Sequence, residues 1–210
     1  MTEHVLGWMR HGQRLFDETV AGLDADSSGA PSGLPTWSRG HLTAHVAANA
    51  DALLNLARWA ATGVERPMYA SPEERAAGIA QGGLLPAEEL VAWQARSSAA
   101  LEAALAELTE AQWRREVRTA QGRIVPATEI PWLRAREVLV HAVDLELGIS
   151  FAALPDDFLT ALEEEVRIRR GPELPPVTGT LADRVAWLTG RPHDVRLTDG
   201  TPAADLGPWL

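Results

Sequence analysis

Glu137 and His141 stand four residues apart in the run EVLVH, so on a helix both side chains leave one face a turn apart. A carboxylate and an imidazole placed in this way can grip a single metal ion. The run HLTAH spaces His41 and His45 in the same way, and facing helices of a bundle can contribute ligands to a shared interior site. Helical phase separates these two histidines. Leu42, Val46, Asn49, Leu53 and Leu56 define an apolar centre, from which His45 lies about 60° away and His41 about 100°, at about 100° per residue. His45 is therefore the better third ligand. Two histidines and one carboxylate leave coordination positions open, the pattern of a catalytic rather than a structural metal. Zinc is the first choice, and the same donors suit iron, manganese or cobalt. Asp144, one turn beyond His141, could orient it from behind. Plainer readings exist for each residue: Glu–His pairs lace solvated helix faces, His45 alone fits a hydrogen-bonded core histidine, and His41 fits a helix cap. Arg134 and Arg136, just before Glu137, could also serve as local cations, but they read more readily as exposed partners for it.

The elements that must carry these residues follow from periodicity. Apolar positions at Val5, Trp8, Met9, Leu15, Phe16, Val20 and Leu23 predict a helix over about 3–24, broken by Asp24 to Gly29. A second helix is expected over 37–62, stopping at Gly63. Ser71-Pro72-Glu73-Glu74 reads as an N-cap with proline at the first helical position, predicting a short helix to about 81. A third long helix is expected over 86–112, with Leu90, Trp93, Ser97, Leu101, Leu105 and Leu108 on one face. Alternation over 116–125 around Gln121-Gly122 predicts a small hairpin. A fourth long helix, from 128 or 131 to 147, carries Glu137 and His141 and closes at Gly148. Four long amphipathic helices predict a bundle over 1–150. From 151 to 210, prolines, glycines and shorter segments predict a small α/β unit: helices over 156–170 and 182–189 and strands near 177–180 and 195–197. Trp59, Trp93, Trp132 and Trp187 fall on apolar stripes and are expected in the core.

Composition narrows the functional classes. The 210 residues carry 19 Lys and Arg against 29 Asp and Glu, a net charge of -10 that repels polyanions, so nucleic acid is a poor partner. No stretch approaches the roughly 20 apolar residues of a bilayer span, and Met1-Thr2-Glu3-His4 lacks the layout of a signal peptide, so a cytoplasmic location is expected. There is no cysteine, which removes disulfides, thiolate-ligated metals and any enzyme thiol nucleophile. Sulfur chemistry would need an outside thiol. No P-loop, dinucleotide or Gly-x-Ser-x-Gly context is present.

Several blocks in order resemble the mycothiol-dependent maleylpyruvate isomerases: WSRGHLTAHVAAN at 37–49, PMYASPEER at 67–75, TAQGR at 119–123 and REVLVHAVDL at 136–145. The likeness resumes at 179–181, at LTGR over 188–191 and at the terminal PWL. It implies a mainly α protein, a DinB-like four-helix bundle with a small C-terminal α/β domain. It also implies a divalent metal, usually zinc, held by His45, Glu137 and His141, the set that helical phase favours. Arginines in the Ser-Pro-x-x-Arg and Gly-Arg segments, here Arg75 and Arg191, are implied to line the active site. Against the family pattern the stretch 165–177 is short, which loosens the placement of Arg191.

The resemblance implies a cis–trans isomerase of the gentisate branch of aromatic catabolism, turning maleylpyruvate into fumarylpyruvate with mycothiol as a recycled thiol. A thiolate that adds to the double bond makes it single, and its expulsion after rotation leaves the trans isomer. With the net charge opposing a dianionic substrate, local cations must hold its carboxylates. On the same site an alternative is a mycothiol S-transferase, in which the thiol attacks an electrophile and stays attached. From another class, a non-catalytic metal-binding module would have a closed site and no thiol affinity. The expected partners are a small dicarboxylate and mycothiol, with the protein a monomer.

Overall fold

A computed structural model describes residues 2–209, and its chain divides into two compact units, Met1–Leu147 and Gly148–Leu210. The first is built on α1 (Thr2–Val20), α3 (Arg39–Thr62), α5 (Ala87–Ala106) and α7 (Ile130–Asp144), with α1 against α7 and α3 against α5. Contacts of α3 with α7 and of α1 with α5 close the four into a bundle. Its axis is alanine-rich: Ala44, Ala47, Ala50, Ala57 and Ala60 of α3 are buried beside fully buried Leu42, Leu53 and Leu56. Small residues let neighbouring helices approach closely, while each buried leucine contributes about 1.5–3 kcal/mol of transfer free energy.

Three boundaries differ from the periodicity. The first helix stops at Val20, because Asp24 and Ser27 form a capping box that starts a separate short helix, α2 (Ala25–Gly29). The third ends at Ala106, where Thr109 and Gln112 build a second capping box for α6 (Glu110–Trp113). The fourth ends at Asp144 rather than 147, and Glu146 takes a positive φ of 53°. In the first two cases local side-chain hydrogen bonds outcompete continuation of the helix, and in the third a left-handed residue ends it.

Between α3 and α5, α4 (Pro72–Gly82) is capped by the Ser71 hydroxyl, with proline in its first turn. Strands β1 (Glu116–Arg118) and β2 (Ile124–Pro126) form an antiparallel hairpin before α7. In the second unit α8 (Asp156–Arg170) packs on α9 (Leu181–Thr189), beside the antiparallel pair β3 (Val177–Thr178) and β4 (Arg196–Leu197). Of the four tryptophans expected in the core, only Trp187 is fully buried; Trp59, Trp93 and Trp132 are half-buried. An indole on a bundle's flank covers apolar surface while its edge stays wet. Among the described residues no helix is long and apolar enough to cross a membrane.

Candidate metal centre

The site is built where α3 begins and α7 ends. Ser38 caps α3, its Oγ accepting the His41 N–H at 3.2 Å and lying 2.8 Å from His41 Nδ1. Two carbonyls at the end of α7 find partners near that start: the Gly33 N–H donates to the Asp144 carbonyl at 2.7 Å, and Arg39 Nε to the Leu145 carbonyl at 2.7 Å. These bonds dock the first turns of α3 on the last turn of α7. His45 thereby faces Glu137 and His141.

One carboxylate oxygen joins the three side chains. Glu137 Oε2 lies 3.0 Å from His45 Nε2 and 3.4 Å from His141 Nε2, and a donor atom from each residue falls within 4.8 Å of the others. The two imidazoles cross at 78° with centroids 5.0 Å apart, and Trp37 meets His45 edge-on at 5.3 Å. Behind His141, its Nδ1 is 2.8 Å from Asp144 Oδ2, and Asp144 is only 2% exposed. This second carboxylate orients the ring so that Nε2 faces Glu137.

Electrostatics bind the cluster together. Burial alone would raise the Glu137 carboxyl, but hydrogen bonds from His141 and His45 hold it well below the usual carboxylate range. For His141, burial opposes the charged ring, yet hydrogen bonds to Asp144 and Glu137 overcome it and push the imidazole up to about 9. His45 moves down, chiefly by burial and further by the charges of His141 and Arg75, against the pull of Glu137. An anionic carboxylate thus sits between a protonated and a neutral imidazole. Exchanging the shared protons for one cation leaves two nitrogen donors and an oxygen donor converging, with an outer carboxylate fixing one ring. The residues present fit a divalent metal.

A family model described as the mycothiol maleylpyruvate isomerase N-terminal domain matches residues 9–146, a span that holds all three candidate ligands. The chain belongs to this family. Among solved structures, the crystal structure of a mycothiol-dependent maleylpyruvate isomerase is 37% identical, with 98% of this chain and 95% of that one covered and a TM-score of 0.91. A histidine-to-alanine mutant of such an isomerase matches at 36% identity over 98% and 95% of the two chains, with a TM-score of 0.90. No curated protein matches. The mainly helical fold of these isomerases is the fold of this chain, and the family is one of enzymes.

Of the two expected arginines, Arg75 in the first turn of α4 reaches the cluster: its Nη2 lies 3.4 Å from His45 Nδ1 and its guanidinium carbon 5.6 Å from the Tyr69 ring centroid. Tyr69, the only tyrosine of the chain, has its hydroxyl pushed up mainly by burial. Arg191 belongs to the second unit. It follows Gly190, whose φ of 76° ends α9 and where a Cβ would run into the Gly207 carbonyl. Arg191 Nη1 donates to the Thr189 carbonyl at 2.5 Å, and the residue lines a cavity of about 680 Å³ with His193, Asp194, Arg196 and Asp205.

The expected exposure of two arginines is corrected. Arg134 and Arg136 are buried, 1% and 5% exposed: two residues apart, they leave α7 on nearly opposite sides, so the helix is covered on both, with Arg134 enclosed by α1, α3 and α5. Tyr69 and Trp37 lie inside blocks that carry the family resemblance, yet their types alone point to no role; proximity to the cluster singles them out.

Proposed function

We propose that the protein is a metal- and mycothiol-dependent isomerase that converts maleylpyruvate to fumarylpyruvate. The observation that carries this reading is the His45–Glu137–His141 cluster, with Asp144 behind it, in a chain that belongs to the mycothiol maleylpyruvate isomerase family. His45, Glu137 and His141 would hold a divalent ion, zinc by first choice, and when bound it supplies a Lewis acid that keeps a thiol ionised at neutral pH. The chain has no cysteine, which accords with sulfur brought by an outside thiol, and the names of its relatives point to mycothiol.

In the reaction a carbon–sulfur bond forms at one alkene carbon while the π pair moves onto the conjugated carbonyl oxygen. Rotation about the resulting single bond follows, the electron pair returns, and the carbon–sulfur bond breaks. Atoms and electrons balance, and the thiol is regenerated. Arg75, beside His45, supplies a cation for a substrate carboxylate or for the enolate oxygen. Arg191 is the candidate for the second carboxylate. Asp144 keeps His141 in one orientation throughout.

The test mixes metal-loaded protein with maleylpyruvate and follows substrate absorbance with and without mycothiol, with His45→Ala as control. Turnover that requires the thiol and disappears in the mutant supports the isomerase. Untouched maleylpyruvate with retained thiol binding overturns it in favour of the S-transferase.

A further inference from the structure

Among the described residues the largest fully buried charged side chain is Arg134, and all four of its terminal N–H groups are used on neutral oxygens. Nη1 donates to the Val46 carbonyl at 2.6 Å and to Asn49 Oδ1 at 3.0 Å, both on α3. Nη2 donates to Gln13 Oε1 on α1 and to Ser98 Oγ on α5, each at 2.9 Å. The second arm closes into a ring: Gln13 Nε2 donates to Asp17 Oδ1 at 2.8 Å, and Gln94 Nε2 reaches both Asp17 Oδ1 at 3.3 Å and Ser98 Oγ at 3.2 Å. One guanidinium on α7 therefore ties together all four long helices, with Asp17 as its nearest counter-charge along the hydrogen bonds.

The placement of the α3 arm matters more than the number of bonds. Val46 is the residue after His45, and Asn49 lies one helical turn beyond His45 on the same face. Arg134 itself lies one turn before Glu137. Its two bonds to α3 thus cross between the helices one turn from the crossing of His45 and Glu137. At the other end, Arg39 and Gly33 hold the end of α7. The His45 and Glu137 side chains meet only if α3 and α7 keep their axial register. Sliding one helix by a single residue moves a donor about 1.5 Å along the axis, well beyond the roughly 0.2 Å tolerance of a metal–ligand distance.

We infer that Arg134, acting through the Val46 carbonyl and Asn49, is a positioning residue that sets the α3–α7 register on which the three-ligand metal site depends. A hydrophobic residue could fill the same volume and keep the bundle closed, but it cannot choose one register among its neighbours, whereas a guanidinium with four fixed N–H directions can. This inference rests on the metal-site reading.

The test uses the full chain and Co2+ alone, measuring affinity by chelator competition, the visible absorption of the bound ion as a report of its geometry, and thermal melting. In Arg134→Met, which removes both arms, and in Asn49→Leu, which removes only the Asn49 bond of the α3 arm, Co2+ should bind at least about tenfold more weakly and with an altered visible spectrum. In Gln13→Met and Ser98→Ala, which break only the other arm, melting should fall while Co2+ affinity stays within about twofold. Unchanged affinity and spectrum in Asn49→Leu and in any folded Arg134→Met overturn the inference, as does an affinity loss that simply tracks melting temperature across the variants. Should Arg134→Met fail to fold, Asn49→Leu decides. A wild-type protein that does not bind Co2+ overturns the metal-site reading itself, so the two failures are distinguishable.

Discussion

Asp144 and His141 offer the sharpest tests at the scale of single residues. Asp144→Asn keeps the size of the side chain but removes the charge that orients and enriches the His141 ring, so metal affinity should fall about 10–100-fold in a chelator competition. Protons and metal compete for the same atoms. His141 is pushed up to about 9, so below that pH an incoming cation must displace its proton, and affinity should rise roughly tenfold per pH unit between 7 and 9 and then level. An affinity flat across this range would refute the proton-bound imidazole. The same shifts set the stability of the metal-free protein. The folded value for His141 lies above its ordinary 6.5, so its contribution is complete below about pH 6.5 and is lost as pH rises through about 9. Glu137 is held below its ordinary 4.5, so its contribution is present above that value and lost in acid. His45, lowered from 6.5, costs stability as pH falls below that value. Melting of the metal-free protein should therefore decline between pH 7 and 9, while the stabilisation added by metal grows over the same range.

At the scale of the element, α7 is held from two sides. Gly12 of α1 leaves no room for a side chain: a Cβ there would stand 2.6 Å from Val138 Cγ2 and 2.7 Å from Leu139 Cγ, beside Glu137 in sequence. Gly12→Ala should lower stability by about 1–3 kcal/mol in chemical denaturation, the usual cost of overpacking a core, and should loosen metal binding as α7 shifts. On the other side, Ser38→Ala removes the N-cap of α3. A loss of about 1 kcal/mol is expected, and because the cap lies near Arg39, fraying there should also weaken the hold on the end of α7. Helix periodicity made α3 and α7 legible, since a long apolar stripe needs no knowledge of its partner. Their ends were less legible: Asp24, Thr109 and Glu146 act through local hydrogen bonds and one left-handed residue, which a periodic pattern does not register.

At the scale of the whole molecule, the three candidate ligands all lie in the unit Met1–Leu147, and Arg191 in the unit Gly148–Leu210. If Arg191 serves the substrate and not the metal, Arg191→Ala should lower kcat/KM for maleylpyruvate by about 10–150-fold, the worth of one charge-assisted hydrogen bond, and leave Co2+ affinity unchanged. A parallel loss of metal would place its role elsewhere. The residues by themselves determined a bundle of long helices, a Glu–His pair one turn apart, and a preference for His45 over His41, because each follows from spacing along a single helix. Only the tertiary structure decided that Glu137 lies between His45 and His141, that Arg75 reaches His45, and that Arg134, read from sequence as exposed, is a buried tie among four helices. Those facts depend on which helices are neighbours and in what register. Periodicity shows that a face is buried but not what it is buried against.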